Sequence, residues 1–296
     1  RAYLVKGMKV KIPHNATVRN DGSLRFNGSF NGSLKIGKHW TTCPVCIFFD
    51  MLTSDKHGAG DFVNASNTSW VDLYPLAQYA NQRVNTPDGL EPRFAINTVI
   101  AAQNDAYKVL QNLASTFRGM TYWAANTVNV GADHGNLDGS DVDPVHLYNN
   151  SNVINGVFNY SGTSLKTRST SIRVRYNDTD NLYKPNVVVV EDYDLITKYG
   201  YQVKDIVAFG CSSKYQAQRL GTWMLKSEEL DASVVVFSTG LDGLAVLPSQ
   251  VFAVADEMRQ GVQRAGRIAS GATTTSITLD KDLSSVLSSN PLQQLH

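Results

Sequence analysis

Residues 198–248 read KYGYQVKDIVAFGCSSKYQAQRLGTWMLKSEELDASVVVFSTGLDGLAVLP, a succession of strand, cap, amphipathic helix, strand and turn. Gln202–Phe209 has the β-branched content and partial alternation of a strand. Gly210 interrupts it, and Ser212 or Ser213 offers a hydroxyl to the unpaired N–H groups of a helix start. The helix predicted over 214–229 places Ala217, Leu220, Met224 and Leu225 on one face, with Gln216, Arg219, Lys226 and Glu229 largely on the other. Ser233–Ser238 (SVVVFS) then reads as a buried strand, closed by Gly240, Asp242 and Gly243. No catalytic group is on display in this unit. It reads as scaffold.

Upstream, Ala2–Ile12 is strand-like and ends at Pro13-His14-Asn15. Asp21-Gly22, Asn27-Gly28 and Asn31-Gly32 then signal tight turns between short, poorly buried strands. Thr41-Thr42-Cys43-Pro44 opens a short helix, with Pro44 near its first position and Ile47, Phe48, Met51 and Leu52 as packed residues. A second helix follows the Asn67-Thr68-Ser69 cap, using Trp70, Leu73, Ala77, Ala80 and Val84; its Pro75 is tolerable only in about the first turn. Pro92–Ala101 reads as a strand. A third helix, capped by Gln103-Asn104-Asp105, carries Ala106, Val109, Leu110, Leu113 and Phe117 inward and ends at Gly119. Met120–Val130 is a hairpin turning near Ala125-Asn126. Ser171–Tyr176 and Asn186–Val190 are the clearest strands of the second half, and VFAVAD, GRIAS and SITLD are short strands near the end.

At 296 residues the chain can bury a substantial core and two or three domains. A formal net charge of +1 gives no single-sign field that would advertise nucleic acid or membrane. No apolar run approaches the roughly 18–20 residues of a membrane span. Three cysteines do not make a secreted disulfide framework. The Asn-x-Ser/Thr sequons, Asn15 and Asn159 among them, come cheaply in a chain so rich in those residues. The start inside a strand and the polar end suggest a segment of a longer polypeptide.

The run FGCSSKYQAQRLGTWMLKSEEL followed by VVVFSTGLDGLAVLP resembles the central tail-tip, or host-specificity, protein J family of lambda-like long-tailed phages. Its aromatic-Gly-Cys-Ser/Thr-Ser turn leads into a helix with Ala-x-Arg and a Trp, then a strand and a Gly-x-x-Gly turn. Phe209, Gly210, Cys211, Ser212, Ser213, Ala217, Arg219, Gly221, Trp223, Phe237, Ser238, Gly240 and Gly243 match. Pro248-Ser249-Gln250 departs from the Pro-Gly-Asp common there. Phe26-Asn27-Gly28-Ser29-Phe30 fits a Trp-Asp-Gly-Ser/Thr-Phe loop with two substitutions. Cys43-Pro44-Val45-Cys46, Phe49–Thr53 and His57–Gly60 align with Asn-Pro-Ala-Trp, an aromatic-Asp-Leu-Leu-Thr stretch and Tyr-Gly-x-Gly, both cysteines being departures. The resemblance runs in order over about residues 2–270.

Candidate chemistry has a bland counterpart at each position. Cys43 and Cys46 have redox spacing at a helix start, but KIGKHWTT before them is no buried βαβ strand. Cys46 therefore reads as packed and Cys43 as incidental. His39, Cys43, Cys46 and His57 are suitable zinc ligand types without zinc-finger spacing. Gly58-Ala59-Gly60 follows a helix rather than a strand, unlike a dinucleotide turn. Asp133, Asp138, Asp141 and Asp143 lack calcium-loop order. Glu191, Asp192 and Asp194 read as a solvated strand end rather than a glycosidase pair, and Ser212 as a cap rather than a nucleophile.

The expected class is α+β: a mixed α/β hub domain over 1–140, a β-rich domain over 141–260 with β-barrel-like character, and a partial β segment over 261–296. No catalytic, cofactor-binding or metal-binding residue is assigned, no cofactor is expected, and the chain is read as a non-enzyme. The resemblance implies a structural hub of the distal tail tip, made in the bacterial host cytoplasm. It would be homotrimeric, touching tail-tube and other tail-tip proteins and the tape measure protein, with receptor binding in later parts. The alternative is a carbohydrate-binding or cell-wall-degrading tail module.

Overall fold

β-branched residues alternate with polar ones along 171–178, and that period of two places one set of side chains on each face of a sheet. In a computed structural model of the chain, strand Ser171–Asp178 is the centre of a three-stranded sheet. It pairs antiparallel with Lys184–Glu191, Ser171 opposite Glu191, and parallel with Val203–Val207, Ser171 opposite Val203. The structure describes residues 5–63, 68–100, 106–124, 127–135, 140, 142–162, 168–231, 233–259, 270 and 273. The cap predicted at 103–105, the turn at 125–126 and SITLD lie outside them, as does nearly all of GRIAS.

Among the described residues five α-helices accompany the strands: α1 (Pro44–Thr53), α2 (Trp70–Asn81), α3 (Ala106–Ser115), α4 (Tyr193–Tyr199) and α5 (Lys214–Leu230). The class is α+β. Among the described residues the widest sheet has three strands and the others two, so no barrel closes. The chain divides into two compact units, one of residues 1–143, 160–235 and 247–251, the other of 144–159, 236–246 and 252–296.

The larger unit has two hydrophobic clusters. α1, α2 and α3 build the first around Phe48, Leu52, Leu113 and Phe117, with Phe48 and Phe117 edge to face at 6.2 Å. α5 builds the second by laying Ala217, Leu220, Met224 and Leu225 against Ile172, Val174, Val188, Val190 and Ile206. Gly221 makes that approach possible. A Cβ there would stand 2.8 Å from Val190 Cγ2 and 3.1 Å from Val174 Cγ2. Asp192 accepts the Asp194 and Leu195 N–H groups and so caps α4, a short helix that sequence periodicity does not pick out.

The FNGSF loop folds onto α2. Gly28 takes φ +70°, Phe30 stacks on Tyr74 at 4.2 Å, and Phe26 meets the same ring edge-on at 5.4 Å. Pro75 is the sixth residue of α2, beyond the first turn, and the helix continues through it. In the smaller unit, Leu147–Asn149 pairs in parallel with Ala253–Ala255, and Tyr148 is ringed by His146, Phe237 and Phe252.

Four local expectations are corrected. Of Ala2–Ile12, only Lys9–Val10 is a strand among the described residues. Pro92–Ala101 contributes only Pro92 to a strand, Gly89–Pro92, which pairs with Arg83–Thr86; the residues beyond it are bound by other elements, described below. The strand Ser233–Val236 is largely exposed rather than buried. α3 stops through Arg118, which takes φ +59°, while Gly119 begins the strand Gly119–Ala124. The aromatic ring of Phe117 lies within 2.6 Å of where a Gly119 Cβ would be, so that glycine serves close approach rather than a left-handed turn.

Gly221→Val should lower stability by about 1–3 kcal/mol through overpacking, read from the urea midpoint. Gly37→Ala, whose new methyl meets only His39 Nε2 at 3.7 Å, should leave that midpoint unchanged. A pH effect is expected from Glu228 on α5. Burial alone would raise its pKa, but Lys204 Nζ at 2.7 Å and the Ser169 N–H at 2.7 Å hold it below the ordinary 4.5. A depressed folded-state value stabilises above 4.5 and is lost as pH falls through the folded value. Glu228→Gln should therefore flatten the acid limb of the stability curve below that pH.

Candidate functional site

The GCSS turn and the first half of α5 form a polar junction with residues 91–97. Gly210 takes φ +62°, and a Cβ there would fall 2.4 Å from Ile96 Cγ1. Only glycine satisfies both conditions. Its carbonyl accepts the Asn97 N–H at 2.8 Å, and Asn97 Nδ2 donates to Ser212 Oγ at 2.8 Å. Phe209 packs on the first cluster while Ala208 and Cys211 belong to the second, so this turn bridges the two. Burial pushes the Cys211 thiol up to about 11, and its sulfur lies 3.2 Å from the Ser213 carbonyl as donor.

Ser213 caps α5 by accepting the Gln216 N–H at 3.3 Å, and its hydroxyl donates to Glu91 Oε2 at 2.7 Å. The other Glu91 oxygen accepts from Arg219 Nη1 at 2.6 Å, and Arg219 Nη2 donates to the Arg93 carbonyl at 3.0 Å. Gln216 is buried. Its amide oxygen accepts the Ala95 N–H at 3.0 Å and its nitrogen donates to the Ala95 carbonyl at 3.1 Å. The pair copies the bonding of a neighbouring strand. With Phe94 N–H on the Ala80 carbonyl and Ile96 N–H on the Thr42 carbonyl, it explains why 93–97 runs extended without joining a sheet. The helix face expected to be polar thus meets protein at Gln216 and Arg219.

Further along α5, Trp223 Nε1 donates to Asp133 Oδ2 at 2.6 Å and the Arg118 guanidinium lies 4.8 Å from the Trp223 ring. Tyr215 donates to Asp88 Oδ2 at 2.8 Å. Glu91, Asp88 and Arg118 went unnoticed in the sequence. Their partners lie some hundred or more positions away, and no local pattern marks them.

The other candidate residues have structural partners. Cys43 and Cys46 are both free and buried; Cys43 is the N-cap residue of α1 and its sulfur accepts from Asn81 Nδ2 at 3.1 Å. Cys43 is thus not incidental. Burial raises the Cys46 thiol well above its ordinary value. His57 Nε2 meets Asp50 Oδ2 at 2.8 Å, Nδ1 meets Ser54 Oγ at 3.3 Å, and Lys38 reaches the other Asp50 oxygen at 3.3 Å. Among the described residues no three His, Cys, Asp or Glu groups come together as a metal site. Gly58 and Gly60 approach the Met51 carbonyl and the Asp55 carboxylate too closely for any Cβ. Glu191 Oε1 accepts from Tyr201 at 2.9 Å, and Asp192 is the α4 cap. Asp133 binds Trp223, while Asp138 and Asp141 lie outside the described residues.

Residues 105–270, more than half of the chain and all of α5, match the family model described as "Putative phage tail protein". The chain belongs to this phage tail family. Two curated relatives bear the name "Tip attachment protein J". That of Escherichia phage SECphi27 is 32% identical over 240 residues, 80% of this chain and 19% of the relative. That of Escherichia phage SECphi4 is 32% identical over 286 residues, 94% of this chain and 24% of the relative. The chain therefore spans about a fifth to a quarter of the length of these tail proteins. In this chain the Gly-Cys-Ser-Ser turn and its helix are an internal joint.

Glu91→Gln and Arg219→Gln should each destabilise by about 1–3 kcal/mol. The double variant should fall short of the sum by about 1 kcal/mol or more. Additive losses in denaturant titrations would show that the two residues are not coupled.

Proposed function

We propose that this chain is a structural part of a phage tail tip, at the distal end of the tail, and not an enzyme. Kinship with the two tip attachment proteins carries the reading. Three copies would form a multidomain hub that closes the tail tube and supports the receptor-binding parts, with tail-tube, tail-tip and tape measure proteins as neighbours. Two physical features support an assembled state. Among the described residues the sheets are narrow, with edges that pair with no further strand and invite another chain, and two-stranded ribbons are weak alone. The face of the three-stranded sheet opposite α5 carries exposed Val187, Val189, Val203 and Val207. Barrel-like β layers would then be completed by neighbouring copies or by parts beyond this chain. No helix among the described residues is long and apolar enough to cross a membrane.

Immunogold labelling of intact virions with antibody to this chain should mark the distal tail end, and labelling confined to another part would overturn the placement. Light scattering of the full protein should give a trimer mass that persists on dilution. A monomer at every concentration, together with saturable binding to cell-wall glycan, would favour the carbohydrate-binding module instead.

A further inference from the structure

A cleft of about 480 Å³ opens beside α5, walled by Thr86, Arg118, Tyr215, Gln218, Trp223 and Lys226 together with their neighbours. Its cations differ in how they are satisfied. Arg219 is held by Glu91 and the Arg93 carbonyl, and Lys226 by Glu229 at 2.8 Å. Arg118 is the exception. Its guanidinium sits 4.8 Å from the Trp223 ring and 5.5 Å from the Phe94 ring, and its Nε, like that of Arg219, is buried without an acceptor. Among the described residues it makes no side-chain hydrogen bond. Asp133, whose Oδ2 accepts the Trp223 indole N–H, lies near enough for its charge to favour the Arg118 cation, but makes no hydrogen bond to it. The backbone at Arg118 is also left-handed, a conformation that disfavours a side chain, yet a long cation stands there.

We propose that this cleft binds an oxyanion, supplied as the carboxylate of an acidic peptide segment from a neighbouring chain. A planar guanidinium held beside two aromatic rings is restricted in orientation and suits a carboxylate fork, and its partial burial makes each charge-assisted bond stronger than at an open surface. Lys226 adds a second positive charge on the same wall. The Gln218 amide and the Tyr215 ring offer the mixed polar and apolar contacts that suit a peptide, while the Thr86 and Thr222 hydroxyls already donate to the Gly89 and Gln218 carbonyls. The assignment of the occupant to another tail protein rests on the assembled state proposed above. The anion chemistry rests on Arg118 alone.

The test is an NMR titration of the full chain, nitrogen-15 labelled, with a hexaglutamate peptide and separately with inorganic phosphate, following the Trp223 indole N–H. Hexaglutamate should shift that resonance saturably, and raised salt should weaken it. Arg118→Gln should weaken binding roughly tenfold or more, and Lys226→Gln, on an exposed side chain, by a few-fold. Phosphate binding as tightly as the peptide would overturn the peptide assignment and leave a free-anion site. No shift with either ligand, or an unchanged affinity in both variants, would overturn the site altogether. These outcomes do not depend on where antibodies label the virion.

Discussion

The larger unit depends on one extended segment, residues 93–97, having its backbone satisfied without a sheet to join. Buried N–H and C=O groups left unpaired would cost about 1–3 kcal/mol each, and this segment threads between two hydrophobic clusters. Gln216 answers with a side-chain amide that imitates one residue of a strand. Arg219 takes the Arg93 carbonyl, the Gly210 carbonyl takes the Asn97 N–H, and Thr42 and Ala80 take the others. These contacts fix the direction of α5, and α5 in turn covers one face of the sheet through Gly221. Changing any of Gly210, Gln216, Arg219 or Gly221 disturbs the same joint.

That joint explains which parts of the structure can be seen in the sequence. The strand over 171–178 and helices α1, α2 and α5 write their burial into local periodicity, so spacing alone finds them. The strand over 184–191 is found by its run of four valines, although most of it is exposed. The segment 92–101 is different. RFAIN has the β-branched and aromatic content of a strand whether its partner is another strand or a glutamine side chain, and composition cannot tell these apart. Ser233–Val236 fails for a related reason: SVVV promises burial, but burial depends on what covers the strand. At the end of α3, a glycine looks like the natural left-handed residue, while the structure uses Arg118 and spends Gly119 on contact with Phe117.

The candidate site shows the same division. Its half on α5 was visible because the turn and helix residues are contiguous. Glu91 and Arg93 were not, since their role appears only when a segment some 120 residues earlier is laid across the helix. Residue types that suggested chemistry have ordinary structural work. Asp192 caps the start of α4, Asp50 joins Lys38 and His57, and Cys43 receives an Asn81 hydrogen bond. Each is better described by what it holds in place than by a reaction.

The two faces of the three-stranded sheet sharpen the point about assembly. Residues on the inner face, Ile172, Val174, Val188 and Ile206, are covered by α5. The alternation that directs them inward also directs Val187, Val189, Val203 and Val207 outward, around an Arg173–Asp205 pair at 2.7 Å. An exposed antiparallel face normally exchanges such valines for polar residues. Here the two flanking strands keep valines on the outer face, while the central strand presents Arg173 and Arg175 there. The charges on the outer face would then set orientation for whatever covers the valines, because Arg175, opposite both Val187 and Val207, would need an acceptor from the covering surface. A covering surface of that kind must be apolar at its flanks and able to keep the central pair solvated or hydrogen-bonded. That requirement is met by the edge of another folded chain far more readily than by a small ligand.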